Sequence, residues 1–180
     1  MDSTIILAEL TDTLSHVNYQ DVNDMVNLFL NAQHVFCDGL GRSGLCCRAF
    51  AMRLMQLGID VFFVGDTMTP AIQDGDLLLI CSGSGSSPAL ISRAEKAKET
   101  GAKLALVTSK PNSKLAKISD SIVTIAAPAK NQSKDIQSIL PMGSLFEDTA
   151  SLVFENMVMI MMKKLGETSQ TMLQRHANLE

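Results

Sequence analysis

Four stretches of this chain carry residue types whose spacing could do chemistry. The first is Ser82-Gly83-Ser84-Gly85-Ser86-Ser87, followed directly by Pro88. Pro88 suits the first position of a helix and Ser87 its N-cap. The loop then opens onto a helix N-terminus, where backbone N–H groups and the helix dipole favour an anion such as a phosphate. A plain Gly/Ser turn fits the same residues about equally well. The second is Gly39-Leu40-Gly41-Arg42-Ser43-Gly44, a G-x-G-x-x-G pattern between an apolar strand and a helix. With Asp66 as an acid for a ribose, it fits a dinucleotide site. Arg42 and Ser43 instead suit a terminal phosphate or sugar hydroxyls, and Arg42 also suits a surface ion pair.

The third stretch is Pro141-Met142-Gly143-Ser144-Leu145-Phe146-Glu147. Glu147 there would serve as a general base, with Asp148 as an alternative of the same class. Ser144-x-x-Glu147 is also a capping box, which spacing favours by about two to one. The fourth is His176, in Gln174-Arg175-His176-Ala177-Asn178-Leu179-Glu180. A histidine this near the end of a sequence is more often an idle surface side chain than a proton carrier.

The elements that must position these residues follow a β-α-β alternation. Two amphipathic helices are predicted over 3–16 and 20–31. Strands follow at 35–37, 61–64, 77–81, 103–108 and 122–125, with helices at 44–57, 88–100 and 113–118. Gly58 and Gly101 stand where helix C-caps belong. The alternation predicts a five-stranded parallel sheet sandwiched by helices. In the flavodoxin-like order 2-1-3-4-5, the loops at 39–44 and 82–87 follow neighbouring strands and line one crevice at the switch point. The connection from Gly65 to Gly75 lacks helix signals. A polar loop over 126–142, with Lys130, Asn131, Gln132, Ser133 and Lys134, is long enough to be functional. A helix over 144–165 is apolar almost all round, which a subunit interface or a central core position would explain. Its many methionines favour the interface, hence a homo-oligomer. A short helix over 168–176 closes the chain. The whole sequence reads as one domain, with N-terminal helices over about 1–32 and a C-terminal helical segment over about 144–180.

Composition narrows the function classes. The 180 residues suffice for one α/β domain, and 46% hydrophobic against 19% charged is a globular balance. A net charge of −4 without a basic block predicts no nucleic-acid partner. No run approaches the roughly 20 apolar residues of a membrane span, and the acidic start predicts no signal peptide. The four cysteines, without secretory features, predict reduced thiols in a cytoplasmic protein. His16, His34 and His176 are too scattered for a metal site, and none is predicted.

The four stretches, with Ala49-Phe50-Ala51-Met52-Arg53-Leu54-Met55, together resemble the sugar isomerase (SIS) family. Within it they are most similar to the 6-phospho-3-hexuloisomerases, over nearly the whole chain. The resemblance implies a tetramer that interconverts a 3-hexulose 6-phosphate with fructose 6-phosphate, without metal or redox cofactor, in the ribulose monophosphate pathway of formaldehyde fixation. It puts Ser82, Ser84 and Ser87 on a phosphate-binding loop, and Gly41, Arg42 and Ser43 on the first loop. Glu147 falls on the base and His176 on a residue reaching a neighbouring subunit's site. Ser86 departs from the family, whose members typically carry Glu or another polar or charged residue there, then Thr. Two other classes compete: a non-catalytic sugar-phosphate sensor, and a nicotinamide oxidoreductase. An isomerase of another phosphosugar is the nearest alternative.

Overall fold

The computed structural model describes residues 3–128 and 138–179. The centre of the predicted polar loop, Lys130 to Lys134, lies outside these residues. In chain order the elements are α1 (Ser3–Ser15), α2 (Tyr19–Asn31), β1 (Val35–Gly39), α3 (Gly41–Gln56), β2 (Val61–Phe63) and β3 (Leu77–Cys81). Then come α4 (Pro88–Glu99), β4 (Lys103–Thr108), α5 (Lys114–Ile118) and β5 (Ser121–Thr124). A 3-10 turn (Pro141–Gly143) leads into α6 (Ser144–Leu165), and α7 (Ser169–Leu173) follows. All strand pairs are parallel, in the order β2-β1-β3-β4-β5. This is the order that brings the β1 and β3 loops together.

Two-residue periodicity along the strands sorts side chains into two apolar layers. Val35, Cys37, Leu77, Leu79 and Cys81 pack with α2, α3 and α6. Phe36, Leu78 and Ile80 pack on the other face, against Leu90, Ala94 and Ala97 of α4 and Leu115 of α5. On the first face Phe50 of α3 stacks on Phe154 of α6, ring centroids 4.5 Å apart. Between β2 and β3 there is no helix, only turns and irregular chain, in line with the lack of helix signals from Gly65 to Gly75.

The apolar α6 turns out to be a core element first. It packs against α1, α2 and α3 of its own chain, burying Leu145, Phe146, Val153, Phe154, Met157, Val158 and Met161. Intrachain burial therefore accounts for most of its hydrophobic length, as the central core position offered for it requires. Leu152 and Met159 still face outward, the latter 66% exposed, and Leu45, Met52 and Met55 of α3 are exposed as well.

All four cysteines are free thiols, and Cys37, Cys47 and Cys81 are buried. A hydrogen bond with Cys47, followed by burial, raises the Cys37 pKa well above its ordinary value. Burial does the same to Cys81 and, less strongly, to half-buried Cys46. A raised thiol pKa keeps the unreactive protonated form to higher pH. Native protein at neutral pH should therefore resist iodoacetamide under conditions that alkylate all four cysteines of the denatured chain. Mass spectrometry reads the outcome, and fast native labelling of Cys46 would contradict it.

Candidate active site

The glycines of the first loop are explained by packing. A Cβ on Gly44 would lie 2.8 Å from the carbonyl carbon of Gly39, and one on Gly39 would lie 2.9 Å from Gly44 Cα. The start of α3 thus rests directly on the end of β1. Gly41 has φ +58°, the left-handed region that favours glycine. Asp66, the acid required by the dinucleotide reading, is held by Arg48 through both guanidinium Nη atoms at 3.0–3.1 Å. Arg48 also lies over the Phe63 ring. Asp66 is therefore engaged outside the crevice, which removes the acid a ribose would need.

The crevice itself is a cavity of about 600 Å³ at the C-terminal ends of β1, β3 and β4. Ser43, Ser82, Ser84, Ser86, Ser87 and Glu147 all contribute to its lining. Gly41 and Arg42 do not. The serine loop is internally braced: Ser82 Oγ accepts from the Gly85 N–H at 3.2 Å, and Ser84 Oγ from the Ser86 N–H at 3.4 Å. Gly85 has φ +58°, and a Cβ there would collide with the Ser113 side chain. Pro88 begins α4 as expected, and Ser87 occupies the N-cap position. Its side chain, however, makes no capping hydrogen bond. The first-turn amides of Ala89 and Leu90 are thus left without a side-chain cap, at the end of a helix whose dipole favours an anion.

Glu147 is 3% exposed and sits in the first turn of α6. The capping-box alternative does not hold, because the N-cap is Gly143, in the left-handed conformation, and Ser144 is already helical. Ser144 Oγ donates back to the Pro141 carbonyl at 2.7 Å. The guanidinium of Arg42 gathers this turn. It donates to Ser144 Oγ and to Asp148 Oδ1, each at 2.7 Å, and lies 3.3 Å from Glu147 Oε2. Arg42 therefore acts as a strut between α3 and the acid-bearing turn, rather than lining the cavity as a ligand group.

A family model for the SIS domain matches residues 28–146. The chain belongs to the SIS domain family. Over 176 residues it is 39% identical to the 3-hexulose-6-phosphate isomerase of Bacillus subtilis, covering 97% of this chain and 95% of that one. It is 38% identical to the enzyme of the same name from Mycobacterium gastri, covering 98% and 89%. A crystal structure from Methanococcus jannaschii, whose description infers a molecular function of 3-hexulose-6-phosphate isomerase, superposes with a TM-score of 0.85. That pair is 29% identical, and 98% of each chain is covered. The SIS match takes in both loops and stops one residue before Glu147. His176 lies outside it.

His176 is not brought to the cavity of its own chain. It is exposed, its Nδ1 lies 2.8 Å from the Ala177 carbonyl, and it borders a shallow pocket with Arg53, Gln56, Glu155 and Met159. Those residues sit further along α3 and α6. Helix rise alone puts them about 12–20 Å along from Ser43 and Glu147. Arg175 fixes this corner through Glu167 and the Gln56 carbonyl.

Sequence reasoning overlooked the third wall. Lys110, Pro111, Asn112 and Ser113, in the β4–α5 loop, also line the cavity. The signal was available: β4 neighbours β3, and a polar stretch follows its apolar run just as Ser82–Ser87 follows β3.

Proposed function

We propose that this SIS protein is a phosphosugar isomerase converting 3-hexulose 6-phosphate and fructose 6-phosphate into one another. The observation that carries this is a buried carboxylate, Glu147, sharing one cavity with a serine loop and an uncapped helix N-terminus. The loop hydroxyls of Ser82, Ser84 and Ser87 and the α4 amides hold the phosphate. Ser43 reaches the sugar hydroxyls. Binding the phosphate remote from the reacting carbons fixes the sugar without entering the chemistry.

Glu147 then removes the proton from C2 of the 3-ketose, giving a C2–C3 enediolate. It returns the proton to C3 while the hydroxyl proton passes from O2 to O3, so the carbonyl moves to C2 and C3 becomes the carbinol. No net oxidation occurs and the proton count balances, so no cofactor is required by the reaction. Arg42 sets the direction of the carboxylate. His176 is assigned to the site of a neighbouring subunit, where it would carry the hydroxyl proton or assist ring closure. Its separation from its own chain's cavity supports that assignment. Outward Leu45, Met52, Met55, Leu152 and Met159 offer the apolar surface for a homotetramer. The chain would act as one SIS domain in the cytoplasm, following a hexulose-phosphate synthase in formaldehyde fixation.

A coupled assay tests the reading. The 3-hexulose 6-phosphate is supplied and fructose 6-phosphate is read through phosphoglucose isomerase and glucose-6-phosphate dehydrogenase. Product formation above the coupling-enzyme blank is expected. No product at any pH would refute it.

A further inference from the structure

We infer that Lys110 supplies the counter-charge for the phosphate of the sugar substrate, a role that spacing in the first loop suggests for Arg42. The inference rests on the isomerase reading for the identity of the sugar, but its charge argument needs only a phosphorylated ligand. A phosphomonoester carries roughly −1.5 to −2 at neutral pH. Of the described residues lining the cavity, Lys110 is the single Lys or Arg, and Glu147 is the single carboxylate. Without Lys110 the described residues of the cavity would present a phosphate with one negative side chain and no positive one. Arg42 is less suited to that part, because it does not line the cavity and its guanidinium is engaged by Ser144, Asp148 and Glu147.

Lys110 is also held in place relative to the serine loop. The Ser109 N–H and Ser109 Oγ both donate to the Gly83 carbonyl, at 3.1 and 2.8 Å, and Thr108 Oγ1 donates to the same oxygen at 3.2 Å. The Leu115 N–H donates to the Gly85 carbonyl at 3.2 Å. Lys110 itself sits in a tight turn: its N–H donates to Thr108 Oγ1 and its carbonyl accepts from the Ser113 N–H. Its backbone is thereby pinned on both sides. Its ammonium has no hydrogen bond or ion pair among the described residues. A half-buried cation pinned beside a serine loop and without a carboxylate partner is suited to an anionic ligand. Ser86 lines the same cavity with only a hydroxymethyl group.

The test compares Lys110→Met with Lys110→Arg and with Lys114→Met. Lys114 starts α5 four residues away, is exposed and does not line the cavity. Lys110→Met should raise KM for the sugar phosphate by about 10- to 100-fold, the loss of one charged hydrogen bond, with kcat changed little. Lys110→Arg should recover most of that loss, and Lys114→Met should behave as wild type. Calorimetric titration with inorganic phosphate should show the same ordering of affinities without any turnover. A Lys110→Met protein of unchanged KM and unchanged phosphate affinity overturns the inference while leaving an active isomerase. Equal losses in both Met variants overturn it too, since that pattern reports only overall charge. A wild-type protein that binds phosphate through Lys110 yet makes no fructose 6-phosphate sustains it and removes the isomerase reading instead.

Discussion

Glu147→Gln should lower kcat by about 10²- to 10⁴-fold, the range supplied by one positioned general base, while fructose 6-phosphate still binds within a few-fold of wild type. The amide keeps the shape of the side chain but cannot accept and return the C2 proton. Binding survives because the phosphate is gripped by the serine loop and the start of α4, which do not include Glu147. A drop in kcat and kcat/KM together, with ligand affinity retained, marks a group that works in the transition state. Glu147 is 3% exposed and lies 3.3 Å from Arg42, so its removal also releases a guanidinium. That guanidinium keeps Asp148 at 2.7 Å, which should preserve the first turn of α6. Turnover at the wild-type rate, measured in the coupled assay, would take Glu147 out of the mechanism.

Gly44→Ala should destabilise the fold more than Gly41→Ala, although Gly41 has the less usual backbone. A methyl at Gly44 meets the backbone of Gly39, which cannot swing aside as a side chain would. Such overpacking costs about 1–3 kcal/mol or more. At roughly 2–4 °C per kcal/mol for a domain of this size, Tm falls by about 2–12 °C. At Gly41 there is open space, and the left-handed conformation alone costs about 1–2 kcal/mol. Because Gly44 sits between Ser43 and the end of β1, the same change should also weaken sugar binding. Thermal denaturation and KM read the two effects. A Gly44→Ala protein as stable as wild type would mean that α3 can lift off β1.

Much of this arrangement is legible in the residues themselves. Apolar runs of five or six, Pro88 after a serine loop, and Gly58 and Gly101 at helix ends mark the elements to within a few residues, because local propensity and burial agree there. The switch-point crevice follows once strands alternate with helices. Three things were hidden for physical reasons. The function of Arg42 depends on α6, 102 residues away, and no spacing rule reports so distant a partner. The capping box failed because Gly143 takes a left-handed conformation and begins the helix one residue earlier than the Ser-x-x-Glu pattern supposes. Lys110 was passed over because one lysine in a loop is ordinary until its neighbours in space are known. For α6 the sequence left both covers open: an all-round apolar helix says that it is surrounded, not by which chain.

The way the β4–α5 loop is fastened has a consequence for how such proteins diversify. Hydroxyls of Thr108 and Ser109 and the amide of Leu115 tie the loop to Gly83 and Gly85, while the side chains of Lys110, Pro111 and Asn112 make no hydrogen bond among the described residues. Anchorage and ligand contact are thus divided between different positions of one short segment. Substitutions at 111 and 112 should therefore drift with little effect on stability, and each alters the wall of the cavity. One sheet can in this way be retuned from one phosphorylated sugar to another through changes that selection on folding hardly sees.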